Sequence, residues 1–549
     1  MRSAAPTRIV TFGDSLTDSG TTFDLTDTLL LGDLSVPVRA AYLPGPAFAG
    51  VFSNGPVHPQ AMARIFGLDP DGDVFGYATG SGRLVGARLL GDQVGGVEAL
   101  VAVPPDDPLL RFDMSTGAQV ARFLDGAPPS PNAAAPDLAD TEAVTLAILF
   151  AGLLDASDVA DVAADGDFFE VAAAVRTVQA TARQRAFDLA ESGLVDHLAL
   201  YALPPPDVFP DGNGLSPEEA VAANIGIDLF NAGLSATAEA VARETGIGAT
   251  FVRLDRFLAE IDADPATFGF AAKGPVYLQD GVPRPEQLVV DAAGEIVAVD
   301  FPLNPDPAIA ALPLDAIQFL DPLHFSAALH AAVGAFGARS LTHQVRFEGD
   351  GDDLFFSFTG DDLVFAGDGD DTLYLGTGDD IAFGGTGDDS MSGTLGRDLL
   401  VGGAGADSLR GGTSGDVVVG GAGDDALRGD WGDDVLLDGA GSDRVSAGPG
   451  NDTMIWIDPG PGMAGGRDVF DGGAGEDVLY LVTDAEVEPG GRGALEIRLG
   501  RWEFEALGVS ASGVERVEIV APDAFAADPG ALAVGVPRLF AEADLWGVL

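Results

Sequence analysis

GGTGDDSMS at residues 384–392 and GGAGADSLR at 402–410 decide how the C-terminal part of this chain folds. Both fit the frame G-G-x-G-x-D-x-U-x, with U an apolar residue, and the frame continues on either side of them. Aspartate returns at every ninth residue: Asp353, Asp362, Asp371, Asp380, Asp389, Asp398, Asp407, Asp416, Asp425, Asp434, Asp443 and Asp452. The fourth-position glycine keeps this register at Gly369, Gly378, Gly387, Gly405, Gly423 and Gly432, and Ser414 breaks it. A further unit, DGGAGEDVLY (471–480), lies outside the register after a gap. A disordered acidic linker would share the charge but not the regular apolar position. Each unit supplies a tight turn and a short strand whose apolar residue, such as Leu373, Ile381, Leu399 or Val435, points inward. Stacked units close a core that none could bury alone.

The turns crowd carboxylates and backbone carbonyls along two edges, where they repel one another unless a hard divalent cation bridges them. The aspartates named above are therefore the candidate metal ligands. This stretch, roughly 348–480, resembles the RTX nonapeptide repeat of type I-secreted bacterial proteins. The resemblance implies a parallel β-roll with Ca²⁺ between successive turns, export by type I secretion machinery, and an uncleaved C-terminal signal for which FAEADLWGVL (540–549) is the candidate. Metal affinity then becomes folding energy, so the roll is expected to fold at the calcium levels found outside cells.

Composition agrees with such a partner. The chain has 549 residues and a formal net charge of -58, which argues against nucleic acid and anionic membranes and in favour of cations. Cysteine is absent, which excludes disulfides and thiolate chemistry. No run reaches the length of a membrane-spanning helix. MRSAAPTRIVTF (1–12) carries no apolar signal core, so the expectation is export by a route that needs no N-terminal signal, a cytoplasmic enzyme being the less favoured reading.

Before residue 347 the sequence has another character. TRIVTF (7–12), VTLAILFAG (144–152), VDHLALYALP (195–204) and ATFVRLD (249–255) have the continuous apolar pattern of buried parallel strands. Residues 167–191 and 216–245 have helical period and are Ala-rich. The alternation predicts an α/β layered domain with a parallel sheet, whose ligands sit at the carboxyl ends of the strands. Residues 275–313 are Pro-rich and read as an insertion near the site, with VVDAAGEIVAVD a candidate hairpin.

FGDSLTDSG (12–20) offers Ser15 either as a nucleophile on a sharp turn or as a helix N-cap. In FLDPLHFSAALHAAVGAFG (319–337), Asp321 precedes His324 by three residues ahead of a helical stretch. A carboxylate there can hold imidazole Nδ1 and leave Nε2 for a serine; a helix-capping Asp beside an exposed His is the structural alternative. His197 reads as structural, His330 as packing or surface, and His343 lies at the domain junction.

Taken with FSNGPVHPQAMA (52–63), YATGSGRL (77–84) and DMSTGAQVARFL (113–124), these blocks resemble the SGNH or GDSL hydrolases in their lipase and esterase branch, over roughly residues 6–340. The resemblance implies a flavodoxin-like three-layer α/β fold, Ser15 as nucleophile, His324 as general base, and Asp321 orienting it. It also implies an oxyanion hole from the backbone N–H groups of Ser15 and Gly55. The family's third block, G-x-N-D, is matched by Gly152 and Asp155, but Leu154 stands in place of the oxyanion Asn. Losing one such donor typically costs about 10²–10³ in turnover.

The expected organisation is a hydrolase-like domain at 1–345, a calcium-binding roll at 346–480, and a C-terminal β cap with the export signal at 481–549. The expected function is a secreted, calcium-dependent serine ester hydrolase acting on acyl esters or lipids. The alternative is a secreted binding or surface protein with an impaired hydrolase-like domain.

Overall fold

A computed structural model describes residues 5–13, 57–78, 115–129, 134–140, 142–150, 168–210, 217–276, 288–290, 296–299, 304–319, 325–458, 466–483, 501–504 and 507–521. The chain divides into two compact units between Leu341 and Thr342.

The N-terminal unit is built on five parallel strands: β1 (Arg8–Gly13), β2 (Val74–Gly76), β3 (Thr145–Phe150), β4 (His197–Tyr201) and β5 (Gly248–Val252). Their order across the sheet is β2-β1-β3-β4-β5. That is the 2-1-3-4-5 order of flavodoxin-like doubly wound sheets, whose ligand crevice lies at the carboxyl ends of the strands, where the order reverses between β1 and β3. Every residue of β1 and β3 is buried, as strands covered on both faces require. Helices α1 (His58–Ile65), α2 (Thr116–Leu124), α3 (Phe168–Ala190), α4 (Pro217–Thr245), α5 (Leu254–Ala263) and α6 (Ala327–Thr342) complete the unit. Among them α2 packs on β1, α3 on β4, and α4 on β4 and β5. The Ser115 hydroxyl caps α2 by accepting the Ala118 N–H at 3.3 Å. Strands β1, β3, β4 and β5 and the two long helices fall where the apolar patterns place them. The edge strand β2, three residues long, carries too little pattern to be read from sequence. The candidate hairpin is present as antiparallel β6 (Leu288–Val290) and β7 (Ile296–Val299).

The C-terminal unit is a parallel roll of two nine-stranded sheets. With Gly384 as position 1 of the frame, consecutive units lie in alternate sheets, so each strand pairs with the one 18 residues on, as Ile381 with Leu399 and Met391 with Leu409. Position 8 of every unit points between the sheets. Leu373, Met391, Leu400, Leu409, Val418, Leu427, Leu436 and Val445 form one continuous buried column there. At about 1.5–3 kcal/mol for each large apolar side chain, this column supplies the apolar driving force of the roll.

This corrects part of the sequence reading. Leu373 lies in the interior column, but Ile381, Leu399 and Val435 occupy position 7 and face the opposite side of their sheet. In that sheet both faces are apolar and buried, as in IAF (381–383), LLV (399–401) and VVV (417–419). In its partner sheet the outer positions are polar, as at Ser390, Ser408 and Arg410. The true period is therefore 18, two units of nine.

The gap before DGGAGEDVLY does not end the roll. Arg444 pairs with Val469 and Thr453 with Val478, steps of 25 in place of 18, so the stacking continues past the insertion. Strands Val509–Ser512 and Arg516–Val520 add a final parallel layer, and antiparallel Arg501–Phe504 closes one edge.

Candidate functional site

The aspartates at position 6 form a ladder inside the roll. The backbone N–H of Asp362 donates to Asp380 Oδ1 at 2.8 Å, Asp371 to Asp389 at 2.9 Å, Asp380 to Asp398 at 2.9 Å, and Asp389 to Asp407 at 2.8 Å. The series runs on through Asp416, Asp425, Asp434 and Asp452. Every member from Asp362 to Asp452 is buried, whereas Asp353 at the start is half-buried. Two members escaped the sequence reading because they follow the 25-residue step: Asp468 accepts from Asp443 at 3.0 Å and Asp477 from Asp452 at 2.9 Å. Glu515 closes the ladder by accepting the Asp477 N–H at 2.8 Å. A second row runs the other way at position 5, where Asp352, Asp370 and Asp388 accept N–H groups one turn later, from Asp370, Asp388 and Ala406.

From Asp371 on, one oxygen of each carboxylate is thus spent on the ladder; the other, except at Asp468, is not. Oδ2 of Asp362, Asp371, Asp380, Asp389, Asp398, Asp407, Asp416, Asp425, Asp434, Asp443, Asp452 and Asp477 is buried with no hydrogen-bond partner. A buried charge without a partner is strongly unfavourable. Burial accordingly drives the carboxyls toward their protonated form, reinforced by neighbouring carboxylates and opposed by the donated N–H. Asp416 rises to about 9, Asp380 to about 8, Asp389 to about 7 and Asp452 to about 6.

Beside these oxygens the repeat places glycine. A Cβ at Gly384 would collide with Asp389 Oδ2 and the Gly402 carbonyl oxygen, and one at Gly402 with Asp407 Oδ2 and the Gly420 carbonyl. The turns offer carboxylate and carbonyl oxygens and neither thiolate nor imidazole, a donor set suited to a hard cation. The ladder fits calcium on all three counts: orphaned oxygens, side-chain-free space, and donor chemistry. Bound Ca²⁺ supplies the positive charge that lets these carboxylates stay ionised and buried.

Ser15, Gly55, Gly152, Leu154, Asp321 and His324 all lie outside the described residues. Their described neighbours can be placed. β1 ends at Gly13, two residues before Ser15, and Gly13 is paired across the sheet with Phe150, two residues before Gly152. The Gln119 side chain clamps Gly13: its Oε1 accepts the Gly13 N–H and its Nε2 donates to the Gly13 carbonyl, both at 2.9 Å and both buried. His58, three residues past Gly55, stacks 5.9 Å from the His330 ring and meets the Phe150 ring edge-on at 5.8 Å. His330 lies 5.3 Å from Phe325, the residue after His324, and Phe325 lies 5.4 Å from Phe319, two residues before Asp321. His330 is fully buried and its Nδ1 accepts the His58 N–H at 3.3 Å, which decides between the two sequence readings, packing and surface, in favour of packing.

Compared with known proteins, the roll has a clear affiliation. Residues 349–382, 356–391, 383–418, 392–427, 410–437, 428–455 and 464–481 match the family described as RTX calcium-binding nonapeptide repeat. The C-terminal unit is an RTX calcium-binding roll, with Ca²⁺ its structural ion. Repeats of this class are typical of type I-secreted proteins. No curated protein matches the chain. Among the described residues, no helix is long and apolar enough to cross a membrane.

Proposed function

We propose that this is an exported ester hydrolase whose RTX roll folds when it meets extracellular calcium, and whose N-terminal unit carries a Ser15–His324–Asp321 triad. One observation carries the catalytic half of this reading. The described residues flanking Ser15, Gly55, Gly152, Asp321 and His324 are linked by one chain of contacts that starts at the carboxyl ends of β1 and β3, from the Gly13–Phe150 pair through the rings of Phe150, His58, His330, Phe325 and Phe319. Those strand ends are where a doubly wound sheet presents its ligands. The GDSL-like blocks FGDSLTDSG and D-x-x-H support the same assignment of roles.

In this reading His324 takes the proton of Ser15 as its Oγ attacks the ester carbonyl, and the N–H groups of Ser15 and Gly55 hold the developing oxyanion. The alcohol leaves with the proton from His324. Water, deprotonated by His324, then releases the carboxylic acid and restores Ser15. The test is hydrolysis of short p-nitrophenyl esters and labelling by a fluorophosphonate probe, comparing the parent chain with Ser15→Ala. Labelling and turnover that vanish in the variant support the triad; an inert parent, or an equally active variant, overturns it.

Leu154 favours a second reading, a calcium-stabilised binding protein whose hydrolase-like site has lost an oxyanion donor. Leu154→Asn separates the two: a large gain in turnover means that chemistry was limited by the missing donor alone.

A further inference from the structure

Position 1 of the frame is where the repeat needs no side chain. In one sheet it is held by Gly384, Gly402 and Gly420, and the next residue of that column, 18 positions on, is Asp438. Asp438 is fully buried. Its Oδ1 accepts the Gly439 N–H at 2.8 Å, and its Oδ2 has no hydrogen-bond partner. Asp443, five residues on, is also fully buried and also carries an unpartnered Oδ2. Asp468, one turn further, offers a third carboxylate, and one oxygen from each of the three lies within 4.8 Å of the others. Trp456 is 18 residues past Asp438, and its Nε1–H donates to Asp468 Oδ2 at 2.7 Å.

We propose that Asp438, Asp443 and Asp468 form a distinct three-carboxylate cation site within the roll, of higher affinity than the repeating sites, which fills first as calcium rises. From Asp389 to Asp434 the repeating ladder places glycine beside each Asp Oδ2, and at Ala366, Leu375 and Ala447 the same frame position is apolar; here that space holds a third carboxylate, so the local negative charge is greater and the demand for a cation stronger. Ligand charge count is a principal determinant of Ca²⁺ affinity. The position matters for folding. The step from Asp443 to Asp468 is the lengthened one, 25 residues where the others take 18. A cation joining Asp438 and Asp443 to Asp468 closes that longer loop and holds the last layers of the roll in register. This inference rests on the calcium-binding roll and is independent of the hydrolase reading.

Trp456 supplies a local reporter. Terbium(III), a calcium substitute, emits strongly when a nearby tryptophan transfers excitation to it. The full chain, stripped of calcium, is titrated with Tb³⁺ under tryptophan excitation while total bound Tb³⁺ is measured by equilibrium dialysis. We expect sensitised emission from the first equivalent, lost in Trp456→Phe, which leaves only the background from the exposed Trp431 and the other tryptophans. Asp438→Gly restores the residue that the repeat carries elsewhere, and Asp438→Asn keeps the size and hydrogen bonding of a neutral acid. Both are expected to raise the Tb³⁺ concentration at half-emission by about tenfold or more, since one of three charged ligands is gone. Circular dichroism in excess calcium checks that each variant still folds. Two results overturn the proposal: half-emission unchanged in Asp438→Asn, or emission that rises only after other sites have taken up metal.

Discussion

The backbone N–H of Asp380 donates to Asp398 Oδ1 at 2.9 Å, one full turn along the roll, while the second oxygen of Asp398 is buried with no partner. The same pairing repeats from turn to turn, so the ladder is satisfied on one side and charged on the other. The hydrogen bonds set the stacking register. The unpartnered oxygens make stacking conditional on a cation, or on protons.

Removing calcium is therefore expected to unfold the roll and spare the N-terminal unit. Its parallel sheet buries both faces of β1 and β3, and its described strands carry no comparable row of carboxylates. Far-UV circular dichroism of the full chain at pH 8 should lose its strand signal in chelator and keep its helical signal. A spectrum equal in chelator and in calcium contradicts this.

Protons should replace calcium in part. Burial raises these carboxyls from an unfolded value near 4 to about 6 for Asp407, Asp443 and Asp452, about 7 for Asp398 and Asp425, and about 9 for Asp416. A group whose folded pKa is raised holds its proton more tightly in the folded state. Its stabilising contribution is complete below pH 4 and is lost as pH climbs through the folded values. In chelator, the strand signal should grow as pH falls from about 9 toward about 5, in the range where these groups take up protons. With calcium present the dependence reverses, because protons compete for the ligands, and the calcium midpoint should rise as pH falls. A chelated roll that is most ordered at high pH would count against the buried ladder.

The left-handed turn positions give a third expectation. Gly405 has φ +143°, and a Cβ there would run into the Gly387 carbonyl of the preceding layer. Gly405→Ala should destabilise the calcium-loaded roll by about 2 kcal/mol or more, from strain and the enforced shift. Ser414 stands at the equivalent position with φ 84° and already carries that strain, so Ser414→Gly should gain about 1 kcal/mol. Urea unfolding in saturating calcium reads both. Asp430 also has a left-handed backbone, at φ 72°, but its carboxylate pairs with Arg410, so Asp430→Gly should gain less than Ser414→Gly.

Much of this was legible because the repeat is short and its chemistry strict. A nine-residue Asp spacing can only be a stack of turns and strands, and the ladder residues up to Asp452 follow from counting. The rest was hidden for physical reasons. The 25-residue step to Asp468 and Asp477 shifts the frame, so counting by nine from Asp452 passes over both, and DGGAGEDVLY (471–480) reads as a separate unit. Asp438 was invisible because position 1 accepts Gly, Ala447 or Trp456, so no single residue type marks it as interior. Ile381 and Leu399 were assigned to the wrong face because the apolar run IAF or LLV fills both faces of one sheet, and only the alternation with SMS (390–392) and SLR (408–410) gives the 18-residue period. In the N-terminal unit the continuous apolar strands were plain, while the clamp on Gly13 depends on Gln119, 106 residues away, and no local pattern announces it.

That clamp makes the last prediction. Gly13 closes β1, two residues before Ser15 in the sequence. Its N–H and carbonyl both point at Gln119 within a region from which water is excluded, and the amide answers donor with acceptor and acceptor with donor. Gln119→Met keeps the length of the side chain and removes both hydrogen bonds, leaving two buried backbone groups unpaired at about 1–3 kcal/mol each. Gln119→Glu keeps the acceptor for the Gly13 N–H but must be protonated to donate. The order of stability should therefore be Gln, then Glu, then Met, with the Glu variant gaining as pH falls. Thermal unfolding of the calcium-loaded chain, followed by the helical signal of the N-terminal unit, measures it. If Ser15 is the nucleophile, fluorophosphonate labelling should slow in the same order, because the strand end that carries it is less firmly held; a Met variant as stable as the parent would mean that the amide is not what fixes the end of β1.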